Sequence, residues 1–151
     1  MNDRDLRFFD VMLASLRQKF PVDDRRIYAA GFSNGASFSY LLWAERGKLL
    51  AAFALVAGKL DTSERLRTAR AALIIGGQND PSLPFSDQQR SMDLARQINN
   101  TTAPGQPCGA GCTFYPSPSG TPVVTCIHND GHSFPPWAAS AIVEFFKLHK
   151  L

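Results

Sequence analysis

Five residues, Gly31-Phe32-Ser33-Asn34-Gly35, restrict the fold of this chain more than any other stretch. They follow a short apolar run with β preference, Arg26-Ile27-Tyr28-Ala29-Ala30. They precede a helical pattern, Ala36 to Arg46, in which Phe38, Leu41, Leu42 and Ala44 keep near-helical register. Strand, sharp turn and helix, with a serine at the turn, is the context that makes Gly-x-Ser-x-Gly a nucleophile elbow. Such a turn strains the serine backbone, and glycines two residues to either side let strand and helix approach without Cβ clashes. The hydroxyl then projects clear of the sheet. The amide of Asn34, at the helix start, is placed to meet a developing oxyanion.

The rest of the chain alternates helical and buried-strand patterns. Asp5 to Phe20 reads as an amphipathic helix with Leu6, Phe9, Leu13, Leu16 and Phe20 inward, ended by Pro21. Ala51 to Ala57 and Ala71 to Ile75 are continuous apolar runs, as expected of strands buried on both faces of a parallel sheet. Lys59 to Arg70 is a loop or a short helix. Gln78 to Asp87 is a loop, and Asp87 to Ile98 a helix. Asn99 to Gly111 is a loop rich in Asn, Thr, Pro and Gly. Thr113-Phe114-Tyr115 and Pro122 to His128 form a hairpin across Pro116 to Gly120. Asn129 to Pro135 is a loop before a last helix, Pro136 to Leu148, with Trp137, Ala141, Ile142, Phe145 and Phe146 inward. The expected class is α/β, a mostly parallel sheet with helices on both faces, in one domain over residues 1–151.

In such sheets, sites form at the C-terminal ends of the strands. Three of these ends carry Ser33, Asp80 and His132. A nucleophilic serine needs a base to take its proton and an acid to orient that base. His132 is the favoured base, because the loop Asn129-Asp130-Gly131-His132 can cross the strand ends. His128 ends a strand, and His149 is expected on the solvent side of the last helix. Asp80 is the favoured acid, with Asp61 as runner-up and Asp130 too close to the base in sequence. Turn chemistry before Pro81 is the alternative role for Asp80. The order Ser, Asp, His is that of the α/β-hydrolases.

Composition excludes other classes. Apolar content of 44% and charged content of 19% are those of a globular protein. The net charge is +3, but the basic residues are scattered, with no stripe for nucleic acid. The longest apolar run, Leu49 to Gly58, is too short to span a membrane. The charged, acidic start of the chain does not read as a signal peptide. Cys108-x-x-x-Cys112 lacks the company of a zinc site. Cys126 can pair with Cys112 or with Cys108 in an oxidising compartment, and three free thiols in a reducing one are the alternative. No metal or organic cofactor is called for.

The pieces Phe20-Pro21-Val22-Asp23, Ile27 to Gly35, Leu50 to Gly58, Gly77 to Phe85 and Gly131-His132-Ser133-Phe134-Pro135 together resemble the polyhydroxybutyrate depolymerase and feruloyl esterase branch of the α/β-hydrolases. The resemblance covers nearly the whole chain. It implies Ser33 as nucleophile, Asp80 as orienting acid, His132 as base and the Asn34 amide in the oxyanion hole, with Phe32 and Phe134 beside the substrate. It implies carboxylic-ester substrates, either small molecules or esters linked to a polymer, and secretion. A serine peptidase or acyltransferase on the same residues, or an inert binding module, are the rival readings. Ala36 stands where a third glycine is usual, and Phe134 where the family tends to have tryptophan. One helix and one strand precede Ser33, so the chain reads as the C-terminal part of such a fold. The usual second oxyanion donor, worth about a hundred- to a thousand-fold in turnover, has no counterpart among them. The nucleophile strand is then expected at a sheet edge, open to homodimerisation.

Overall fold

The apolar runs are the parallel centre of one sheet, and the elements between them cover its two faces. The computed structural model describes residues 3–101, 104–109 and 111–151. The first helix, α1, spans Arg4–Lys19, and the strand β1, Tyr28–Phe32, leads into α2, Asn34–Arg46. A short 3-10 turn, Gly47–Leu49, is followed by β2, Ala52–Val56, and then by β3, Ala71–Gly77. Helix α3, Phe85–Ile98, precedes three strands: β4, Gln106–Gly109; β5, Cys112–Tyr115; and β6, Val123–His128. Helix α4, Ala138–Lys147, closes the order. The strands lie in the order β1-β2-β3-β6-β5-β4. The first four are mutually parallel, and β5 and β4 turn back antiparallel.

Period-two alternation sorts the sheet residues between two cores. Phe53, Leu55, Ala72 and Ile74 join Leu6, Phe9 and Leu13 of α1, Tyr40 and Trp43 of α2, and Met92 and Ala95 of α3. Trp43 stacks on Phe53 at 5.0 Å and donates its indole N–H to the Thr68 carbonyl at 2.7 Å. Ala52, Ala54, Val56, Leu73 and Ile75 face Ala138, Ile142 and Phe145 of α4. Every residue of β2 and β3 is buried, which explains their unbroken apolar character.

β1 is the edge strand, as expected. Ala51 N–H donates to the Ile27 carbonyl and Ser33 N–H to that of Val56. Backbone groups of the odd-numbered residues in this stretch therefore face β2, and those of Tyr28, Ala30 and Phe32 face outward.

Several expectations need correcting. β1 lies two residues later than Arg26 to Ala30, because its ladder opens at Tyr28 opposite Ala52 and runs up to the turn at Ser33. Gln106–Gly109, expected as loop, is a strand because β5 offers it a partner, and not because its residues favour extension. Only Leu6, Phe9 and Leu13 of α1 are buried; Leu16 and Phe20 join Phe8 and Met12 on an exposed apolar stripe. Trp137, expected inward, precedes α4 and is 40% exposed. Of the two alternatives for residues 59–70, the loop is the one found, with turns and no helix. Among the described residues no helix is long and apolar enough to cross a membrane.

Candidate active site

Ser33 sits between the end of β1 and the start of α2 with φ 56° and ψ −120°, a region that L-residues rarely adopt. The strain is held from both sides. Ser33 N–H donates to Val56 O at 2.9 Å, and Ser33 O accepts from Ser37 N–H at 3.0 Å. A Cβ on Gly31 would collide with the Gly35 carbonyl, so glycine is required there for strand and helix to meet. A Cβ on Gly35 would meet nothing within 4 Å, so the second glycine of the motif is not needed for this approach. The methyl of Ala36 occupies the space that a Cβ on Gly58 would fill. Asn34 opens α2, so its amide has no acceptor within the helix.

Asp80 follows β3 in a loop that its own carboxylate folds. Oδ1 accepts the amides of Ser82 at 2.8 Å and Leu83 at 2.9 Å, an Asx turn that Pro84 carries into α3. Oδ2 accepts from Gln88 Nε2 at 3.1 Å and from His132 Nδ1 at 2.7 Å. The side chain is fully buried. Burial alone would push its pKa up. The hydrogen bonds from His132, Leu83 and Ser82 outweigh burial and hold the carboxyl below the usual aspartate value.

His132 comes from the loop after β6. That loop rests on Gly77, where a Cβ would stand 2.5 Å from the Gly131 carbonyl oxygen. Asn79 Nδ2 ties it down by donating to Asn129 O at 2.6 Å. His132 thus bridges Asp80 and Ser33, with Nε2 2.8 Å from Ser33 Oγ. An ionised Asp80 accepts only, so Nδ1 carries the proton and Nε2 presents its lone pair to the serine hydroxyl. The arrangement can move a proton from Ser33 to the imidazole and hold the resulting imidazolium against a buried carboxylate.

Phe32 lies 5.1 Å from the His132 ring, and Phe134 meets Phe32 edge-on at 6.1 Å. Both are substantially exposed and form an aromatic wall beside the serine. The runners-up stand elsewhere. Asp61 is an exposed loop residue bonded to Ser63, and Asp130 is exposed 3.8 Å from His128. His128 is partly buried, and its two ring nitrogens are covered with no hydrogen-bond partner among the described residues. His149, expected on the solvent side, is half-buried against Phe145 at 4.5 Å, and burial pushes its pKa down. Sequence reasoning missed Gln88, a polar residue in a helix that nothing local marks as inward. A cleft of about 560 Å³ between Leu60, Leu66, Arg90 and Leu94 includes none of these site residues. Among the described residues no three His, Cys, Asp or Glu side chains are grouped to hold a metal.

No protein-family model matches the sequence, and no curated protein matches it. Solved structures do match in shape. A Bacillus cereus carboxylesterase superposes with TM-score 0.68 at 18% identity, covering 98% of this chain and 64% of that one. An Aspergillus awamori acetyl xylan esterase gives 0.73 at 12% identity, over 94% of this chain and 66% of that one. Zea mays acyl-protein thioesterase 2 gives 0.58 at 17% identity, over 91% and 61%. The chain therefore spans just under two thirds of the length of these structures. At such identities the likeness establishes the fold: this chain has the α/β-hydrolase fold of esterases.

Proposed function

We propose that the protein hydrolyses carboxylic esters through an acyl-serine intermediate. The observation that carries the reading is the continuous path from Ser33 Oγ through His132 to a buried Asp80, with the serine on a strained elbow. Ser33 Oγ attacks the ester carbonyl carbon while its proton passes to His132 Nε2, forming a tetrahedral oxyanion. The Asn34 amide donates to that oxygen. Collapse breaks the carbon–oxygen bond to the leaving alcohol, which takes the proton from Nε2. Water then gives a proton to Nε2 as its oxygen attacks the acyl carbon. The second collapse returns the proton to Ser33 Oγ and releases the carboxylic acid.

The wall of Phe32 and Phe134 offers apolar surface to an aryl or long acyl group, which favours feruloyl and polyester-type esters over acetyl esters within this substrate class. The disulfide between Cys112 and Cys126 supports an oxidising, extracellular setting. The outward-facing edge of β1 supports pairing between two copies of the chain. The test is hydrolysis of p-nitrophenyl acetate and butyrate by the purified chain beside Ser33→Ala. Release above background that the variant abolishes is expected. Equal rates from both would refute the reading.

A further inference from the structure

We propose that Gln88 is a positioning residue of this site, acting on the reaction through Asp80. The inference rests on the ester-hydrolase reading and assigns a role to a residue outside the Ser33–His132–Asp80 path. Gln88 lies in the first turns of α3 and is 1% exposed. Its Nε2 donates both hydrogens: one to Asp80 Oδ2 at 3.1 Å, the other to the Leu83 carbonyl at 3.0 Å. The amide has one workable orientation, because the flipped form would point its oxygen at two acceptors. Its Oε1 is buried with no partner among the described residues, and a Cβ on Gly76 would stand 2.8 Å from it. An unsatisfied buried oxygen is unfavourable, and it is tolerated here because the other end of the amide is committed to the acid loop.

The bond to Oδ2 falls on the oxygen that His132 uses. Gln88 therefore fixes that oxygen's position and shares in stabilising its charge. The second bond, to Leu83, closes the loop whose amide holds Oδ1, so one side chain braces both carboxylate oxygens. An uncharged donor suits this task. A lysine or arginine would fix the carboxylate equally well but cancel the charge that His132 needs when it becomes imidazolium.

The test compares wild type with Gln88→Met and Gln88→Glu, both close in shape and unable to donate in the same way at neutral pH. Gln88→Met is expected to lower kcat roughly tenfold with little change in KM. Loss of the donor leaves the Asp80 carboxylate less stabilised and more basic. The acid limb of the kcat/KM profile should therefore rise by roughly half to one pH unit. Gln88→Glu should be slower still, since it sets a second carboxylate against Asp80. Two readings do not depend on turnover. By NMR, the low-field resonance of the His132 Nδ1 proton, shared with Asp80 Oδ2, should shift in Gln88→Met. In the wild type, the Gln88 carboxamide protons should exchange far more slowly than those of the exposed Gln97. A His132 Nδ1 proton resonance left in place by Gln88→Met, or a Gln88 amide exchanging as fast as that of Gln97, would overturn the assignment. A wild-type chain that leaves esters intact, with the resonance still shifted between it and Gln88→Met, would instead sink the ester-hydrolase reading alone.

Discussion

Replacing Asp80 by Asn alters one atom and sets two hydrogen-bond donors against a third. Four donors converge on this carboxylate: the Ser82 and Leu83 amides on Oδ1, and Gln88 Nε2 and His132 Nδ1 on Oδ2. In Asp80→Asn the carbonyl oxygen can stay with the two backbone amides, and the new NH2 then faces Gln88 and His132. The reverse orientation opposes it to two backbone N–H groups that cannot move. The imidazole resolves the conflict by changing tautomer, so that Nδ1 accepts and Nε2 carries the proton. Nε2 then points a hydrogen at Ser33 Oγ, 2.8 Å away, and cannot take the serine's proton. A wrong tautomer costs about 10⁴ in kcat, or about 5 kcal/mol of barrier. The assay is steady-state hydrolysis of p-nitrophenyl butyrate, with Ser33→Ala as background and near-UV circular dichroism to confirm folding. The sign of the pH effect on stability follows from Asp80's lowered pKa. Its ionised form stabilises the fold above the unfolded aspartate pKa, and that contribution is lost as pH falls through the lower folded value. The gap in melting temperature between wild type and Asp80→Asn should therefore be full at pH 7 and close below about pH 4. A variant that keeps more than a tenth of wild-type kcat, or a gap indifferent to acid, would refute the tautomer argument.

Ser33→Gly should be inactive yet more stable than Ser33→Ala by about 1 kcal/mol, because glycine accepts φ 56° without strain; denaturant titration of the pair decides it, and equal stability would remove strain from the account of the elbow. Reducing the Cys112–Cys126 bridge, which closes a sequence separation of 14 residues, should cost about 3 kcal/mol by urea unfolding, while exposed Cys108 titrates with a thiol reagent in the unreduced native protein. Ala30→Lys, on the outward edge of β1, should shift sedimentation toward monomer without changing the rate per chain; a dimer of undiminished affinity would place the contact elsewhere.

The elbow was legible because its causes are local. A Gly-x-Ser-x-Gly turn between an apolar run and a helical period needs no distant residue to be recognised. The order Ser33, Asp80, His132 followed from strand ends alone. Gln88 was hidden because its neighbours in sequence, Ser86, Asp87 and Gln89, are polar in the same way. It becomes interior because α3 sets it against Gly76 of β3 and the Asx turn at Asp80 folds the acid loop over the start of the helix. Leu16 and Phe20 show the converse. Helical periodicity tells which side of α1 is apolar, whereas what is packed against that side decides how much of it is covered.

By itself the sequence determined the alternation of helix and strand, the two wholly buried strands and the three residues set at strand ends, because side-chain period and turn chemistry act within a few residues. Tertiary structure alone decided the rest. It set His132 within hydrogen-bond distance of both Ser33 and Asp80, paired Cys126 with Cys112 and turned Gln88 onto Asp80. Each of these depends on which segments the folded sheet brings together across gaps of 8 to 99 residues. Over such gaps the geometry of the packed chain, and not local preference, sets which atoms meet.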